Sequence, residues 1–182
     1  DSGWRHEIRG SDCRDGANGP DLSEPGKAQL EALQGRLCYQ FSDLTLLKRA
    51  LTHRSAGKHH NERLEFLGDA VIGLAAAAAF YDRFPDADEG VLSRLRALVV
   101  SGHSLAAIAK DMDLSSCLIL GESERKSGGR HRDSILADTL EALVGAVALD
   151  ASPEKALEVA AGWLGSAVES ASPTDTIDAK TQ

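Results

Sequence analysis

Apolar residues recur three and four positions apart through most of the chain, and the stripes break where Pro and Gly cluster. Leu30, Leu33 and Leu37 share one helical face from about Ser23 onward. Ser23 or a neighbour is expected to cap this helix, with Pro25 in its first turn. A second short helix is expected over Asp43–Thr52, with Leu44, Leu47, Ala50 and Leu51 inward. HRSAGKHH then reads as a loop, and Asn61 as the N-cap of a long helix reaching about Phe84. Pro85 and Gly90 bracket an acidic turn. Beyond it, Val91, Leu92, Leu95, Leu98 and Val99 mark another helix, and Leu105, Ile108 and Ala109 mark one from Ser104 to about Met112. LSSCLILGESERKSGG carries no period and is expected to be irregular. A long apolar helix follows from about Asp133 to Leu149, and Pro153 opens the last, with Ala156, Leu157, Ala160, Trp163 and Leu164 on its stripe. No run alternates apolar and polar residues as a strand would, so the fold class expected is all-α, with six or more helices.

Two of these helices lack a polar face over most of their length, which places them at the centre of the fold. Each nevertheless carries a carboxylate pair. NERLEFLGDAV (61–71) puts Glu65 and Asp69 one turn apart, and LADTLEAL puts Asp138 and Glu141 three apart, on one face of the second. Acidic residues near a helix N-terminus are commonly no more than favourable dipole placement. That reading serves Glu62, Glu65 and Asp69 but not Asp138 and Glu141, which lie further inside. Ionised carboxylates rarely stay buried unless paired or metal-bound. Neither helix core supplies a Lys or Arg, although Arg63 lies at the edge of the first. Converging carboxylates would raise one another's pKa values, and a divalent cation resolves the conflict. All-oxygen ligation suits Mg²⁺ or Mn²⁺ rather than zinc.

Charge complicates a role on nucleic acid. The 182 residues carry a formal net charge of −8, whereas phosphate contacts need Lys and Arg. The dense basic cluster is Arg125, Lys126, Arg130 and Arg132, around a Gly-Gly turn. The three cysteines, Cys13, Cys38 and Cys117, lack CxxC spacing, which disfavours a disulfide framework or a zinc site and fits a reducing, cytoplasmic compartment. The longest uncharged apolar run, Ala70–Tyr81, is shorter than the about 20 residues a membrane span needs, so no membrane partner is expected. His53, His59, His60 and His131 have no triad or ligand spacing and read as surface or loop-anchoring residues.

NERLEFLGDAV closely resembles the signature of the ribonuclease III family. LTHRS (51–55), DEGVLSRLRALVVS (88–101), LAAIAKDM (105–112) and KSGGRHRDSILADTLEALVGAVALD (126–150) extend the resemblance in order, over about Gly26 to Asp150. The resemblance implies an all-helical, homodimeric endonuclease domain that cleaves double-stranded RNA with Mg²⁺, leaving 5′-phosphate and 3′-hydroxyl ends, in rRNA and mRNA processing. Matched position by position, the catalytic and metal-binding carboxylates are Glu65, Asp69, Asp138 and Glu141. Glu62 and Glu89 match acidic positions and are expected to be accessory. Phe66 matches an aromatic that packs into the partner subunit, although by itself it reads equally as monomer core. The basic cluster 125–132 is the candidate RNA-backbone contact.

The domain is expected over residues 23–169, after a leader or remnant at 1–22. Residues 170–182 read as a linker into the first residues of a double-stranded-RNA-binding domain, so a truncated chain is expected. The alternatives are a non-catalytic RNA-binding member of the fold, a compact branch without the RNA-binding domain, and a helical metal-dependent hydrolase of small phosphorylated molecules.

Overall fold

The structure is a computed structural model in which residues 24–173 are described. The expectations for Ser23 as a cap, for a leader over 1–22 and for most of 170–182 fall outside them. The described residues form eight α-helices: α1 (Lys27–Leu37), α2 (Leu44–Ala50), α3 (Glu62–Arg83), α4 (Glu89–Val99), α5 (Gly102–Asp111), α6 (Glu122–Lys126), α7 (Asp133–Asp150) and α8 (Pro153–Ser170). The fold is all-α, as the periodicity implies, and the one ladder contact among the described residues is an isolated parallel bridge between Thr52 and Ile119.

α7 explains the architecture. From Ile135 to Ala148 nearly every side chain is buried, on all sides of the helix. A helix apolar all round must be covered all round, and α3, α5, α8 and α2 do so. α3 is long and apolar enough by composition to cross a bilayer, but here it is a central helix. Its Leu64, Ile72, Ala76 and Phe80 lie in the core, and it packs against α7 and α8.

Helix ends follow local chemistry with informative departures. Asp43, Asp88, Ser101 and Ser152 each accept a backbone N–H at the start of their helix, and Pro153 occupies the first turn of α8. Pro25, by contrast, precedes α1. Gly26 takes the cap position and donates its N–H to Gln29 Oε1 at 2.9 Å. Asn61 stands at the N-cap of α3 as expected, but in helical conformation and without a side-chain cap bond. It is buried, and its Nδ2 donates to the Ala50 carbonyl at 3.3 Å, tying α3 to the end of α2.

The stretch expected to be irregular contains a 3-10 turn at Leu114–Cys117 and the five-residue α6. Five residues give no apolar period to read. HRSAGKHH likewise holds a 3-10 turn at Arg54–Ala56. The two segments are clipped together. His53 donates its N–H to the Ile119 carbonyl at 3.0 Å, and Ile119 donates to the Leu51 carbonyl at 2.9 Å. This clip brings His53–Ser55 beside α6 and the head of α7.

Candidate active site

α3 and α7 cross with their backbones in contact. A Cβ on Gly68 would overlap the Glu141 carbonyl, and one on Gly145 would overlap the Leu64 carbonyl. Glycine on both helices is what permits this approach, and the approach sets two pairs of acidic residues side by side. Glu65 of α3 and Asp138 and Glu141 of α7 each place a carboxylate oxygen within 4.8 Å of the others. Asp69, one turn further along α3, is exposed and does not join that group. Its charge still acts on it, raising both Glu65 and Glu141.

The electrostatics of the cluster are unfavourable as it stands. Burial, then the charges of Asp69, Asp138 and Glu65, push the Glu141 carboxyl up to about 7. Glu65 is raised by burial and then by Asp138, Glu62 and Asp69. Asp138 is raised by burial, with His53 and Arg54 partly offsetting it. No ion pair reaches Glu65, Asp69, Asp138 or Glu141 from any described Lys or Arg within 4.0 Å. Hard oxygen donors, converging, half-buried and lacking a cationic partner, fit Mg²⁺ or Mn²⁺.

The cluster opens on a cleft of about 930 Å³ lined on one side by His53, Arg54, Glu62 and Glu65 and on the other by Glu124, Arg132 and Asp138. Arg54 Nη1 holds the Glu62 carboxylate at the rim at 3.5 Å, and His60 Nδ1 accepts the Glu62 N–H at 3.4 Å. Arg132 Nη1 lies 2.8 Å from Glu124 Oε1, an ion pair at contact distance without hydrogen-bond alignment.

His53 is the residue that sequence spacing undervalues. Burial holds its imidazole below the ordinary range, against the raising pull of Glu124. Its Nδ1 receives the Ser55 N–H at 3.2 Å and lies 2.8 Å from Ser55 Oγ, which itself accepts from Gly121 N at 2.9 Å. A neutral ring with Nδ1 accepting carries its proton on Nε2, so His53 lines the cleft as a fixed donor. The THRS spacing is the available signal: a histidine two residues before a serine can form such a turn through local side-chain-to-backbone bonding.

The other expected residues scatter. Glu89 begins α4, where Ser93 Oγ donates to it at 2.6 Å, and it is not among the clustered carboxylates. The basic cluster does not form one face. Lys126 pairs with Glu122 at 2.5 Å on α6, Arg130 is half-buried and donates to the Ser115 carbonyl at 2.8 Å, Arg132 enters the cleft, and Arg125 faces a neighbouring groove. Phe66 is 82% exposed, which removes the monomer-core reading. It lies beside Leu67, Arg63, Arg49 and Leu149, which line a depression next to it.

An all-helical domain whose two central helices cross at glycines and set Glu65, Asp138 and Glu141 together beside an open cleft has the donors of a candidate metal-assisted enzyme site. Comparison with known proteins narrows the class. Residues 43–166 match the family described as Ribonuclease-III-like. The chain is 48% identical over 144 residues to Ribonuclease 3 of Vibrio parahaemolyticus, covering 79% of this chain and 64% of that protein. It is 48% identical over 155 residues to Ribonuclease 3 of Alcanivorax borkumensis, covering 84% and 68%. The nuclease domain of ribonuclease III from Campylobacter jejuni superposes with a TM-score of 0.74 at 41% identity, over 75% of this chain and 96% of that one. The chain belongs to the ribonuclease III family, and it spans about two thirds of the length of these curated relatives.

Proposed function

We propose that the chain is a Mg²⁺-dependent endoribonuclease that hydrolyses double-stranded RNA to 5′-phosphate and 3′-hydroxyl ends, acting as a cytoplasmic homodimer in rRNA and mRNA processing. The observation that carries this reading is the convergence of Glu65, Asp138 and Glu141 within 4.8 Å, with no described Lys or Arg in ion-pair contact with them. Both helices that supply them are central to the fold, so the cluster is rigidly placed.

Glu65, Asp138 and Glu141 hold the cation, Mg²⁺ or Mn²⁺ in its place, with Asp69 able to reach in from its exposed turn. When bound, the cation supplies charge stabilisation at a phosphodiester and lowers the pKa of water. In the free chain, Glu141 holds a proton up to about pH 7, which relieves repulsion within the cluster. Glu62, its carboxylate tethered by Arg54, is accessory at the rim of the cleft. Glu89, outside the clustered carboxylates, is accessory near the cleavage site or the dimer interface. Arg54, Arg132 and the Nε2 proton of His53 offer donors to RNA phosphates and 2′-hydroxyls, the groups through which duplex RNA is read. Phe66 docks on the partner subunit. Dimer formation is a property studied in the Campylobacter jejuni nuclease domain, and an exposed phenylalanine beside a depression lined in part by Leu64, Leu67 and Leu149 supports the same arrangement here.

Cleavage of a long duplex RNA with added Mg²⁺ tests the reading. Glu141→Ala and Asp69→Ala should each lose cleavage by orders of magnitude, and chelation should abolish it in the unmutated chain. Undiminished cutting by the Glu141 variant would remove the assignment. Binding and protection of the duplex without cutting would favour a non-catalytic role, and turnover of nucleotides instead of duplex would favour the small-molecule hydrolase.

A further inference from the structure

Beside the acidic cleft lies a second groove of about 640 Å³ with the opposite charge. Its walls are the last turns of α2, the 3-10 turn Arg54–Ala56 with the residues after it, and the chain entering α6. Four cations line it, Lys48, Arg49, Lys58 and Arg125, against two carboxylates. Both carboxylates are already engaged, Glu24 by Lys48 at 3.3 Å and Glu122 by Lys126 at 2.5 Å. Arg49 donates to the neutral carbonyl of His60, so its charge stays uncompensated. Lys58 and Arg125 are exposed and make no ion pair with any described residue within 4.0 Å. The groove therefore carries a local excess of positive charge, on a chain whose net charge is −8.

The groove adjoins the catalytic cleft. Ser55 lines both, and its backbone fills the space that a side chain on Gly121 would need, so the wall between them is one layer of chain thick. An acidic cleft repels phosphates, and a basic track alongside supplies the attraction it lacks. We propose that this groove binds the phosphodiester backbone of the duplex to one side of the cleaved bond, with Lys58 and Arg125 as its principal contacts. The proposal rests on the double-stranded-RNA reading above. It replaces the compact 125–132 cluster with a track in which only Arg125 of that cluster takes part.

The test is binding of duplex RNA by fluorescence anisotropy in EDTA, across a KCl series, with a duplex of one helical turn and one of roughly three. The proteins are the unmutated chain, Lys58→Gln/Arg125→Gln and Lys58→Glu/Arg125→Glu. For the long duplex, the Gln pair should flatten the dependence of log K on log[salt] by about one per residue, roughly two in all, regardless of base sequence. The Glu pair should weaken binding further. The short duplex, kept from the acidic cleft in EDTA and held by the groove, should lose binding in the same variants. An unchanged slope on the long duplex, in variants made from a chain that still cuts RNA with Mg²⁺, overturns the groove and leaves the function standing. A short duplex that binds as tightly to the Glu pair as to the unmutated chain also overturns the groove. Failure of the unmutated chain to bind or cut duplex RNA overturns both readings.

Discussion

The carbonyl of Glu141 occupies the space that a side chain on Gly68 would fill. The residue that helps form the cluster is thus held by backbone contact with the opposite helix, one turn from Glu65. Gly68→Ala forces α3 and α7 apart, and overpacking of this kind costs about 1–3 kcal/mol. We expect that loss in chemical denaturation, with cleavage falling more than stability alone explains because the carboxylates separate. Gly35 and Gly162, in exposed helical positions where an added Cβ would meet nothing within 4 Å, give the contrast. Alanine there should stabilise by about 0.5–1 kcal/mol, the helix-propensity gain. Gly68→Ala as benign as Gly162→Ala would contradict the crossing.

The raised pKa of Glu141 makes metal-free stability fall with pH. Between the ordinary carboxylate range and about 7, the folded chain keeps a proton that the unfolded chain has lost. The contribution is therefore full at low pH, declines as pH rises to about 7, and is flat above. Glu141→Gln removes it, because the amide stays neutral. In EDTA, the melting temperature of the Gln variant should exceed that of the unmutated chain at pH 8 and converge with it near pH 5. Taking the difference between the two proteins cancels the opposite contributions of Asp43 and Asp133, whose carboxyls are lowered by their partners. Added Mg²⁺ should raise the melting temperature of the unmutated chain at pH 8 and do less for the variant. A difference that grows toward pH 5 would reverse the sign and refute the account.

Asn61 distinguishes an anchor from a cap. Asp caps helices as well as Asn does, so Asn61→Asp would be neutral if capping were its role. Here the amide donates to the Ala50 carbonyl from a buried position. A carboxylate cannot donate and would face that oxygen unpaired. The substitution should cost about 1–3 kcal/mol, the penalty for a buried group left unsatisfied, measured by urea unfolding. A change within experimental scatter would restore the capping role.

Single-helix patterns are what the chain makes legible. The apolar circumference of α7 places it centrally, and the spacings 65/69 and 138/141 put acids on common faces from the sequence alone. What stays hidden depends on pairs of segments. Nothing in α3 alone marks Gly68, rather than Gly73, as the point where another backbone passes; the two glycines differ only in what faces them. Arg130 and Arg132 are two residues apart, yet the 3-10 turn at Gly129–His131 sends one to the Ser115 carbonyl and the other into the cleft. Grouping them by proximity along the chain joins residues that the fold separates. The turn of His53 on Ser55 is legible in the THRS spacing, but its place at the cleft is not, because Gly121 reaches Ser55 only when Ile119 is clipped to Leu51.

Phe66 tests the assembly. It sits on α3 between Glu65 and Leu67 but points away from the core, 82% exposed. Further along the helix, Leu74 and Tyr81 are also exposed, at 56% and 73%. Residues 66, 74 and 81 are eight and seven apart, so they fall on one side of the helix. Apolar surface repeated along one helix side is what a second subunit covers. Phe66→Asp places a charge where that contact would form and removes no buried packing from the monomer. Sedimentation equilibrium should show the unmutated chain as a dimer and the variant shifted to monomer at the same concentration. Helicity by circular dichroism should be unchanged, since the substitution touches none of the core. Cleavage should fall with the dimer fraction and return as protein concentration rises. A Phe66→Asp chain that stays dimeric would assign the exposed aromatic another role.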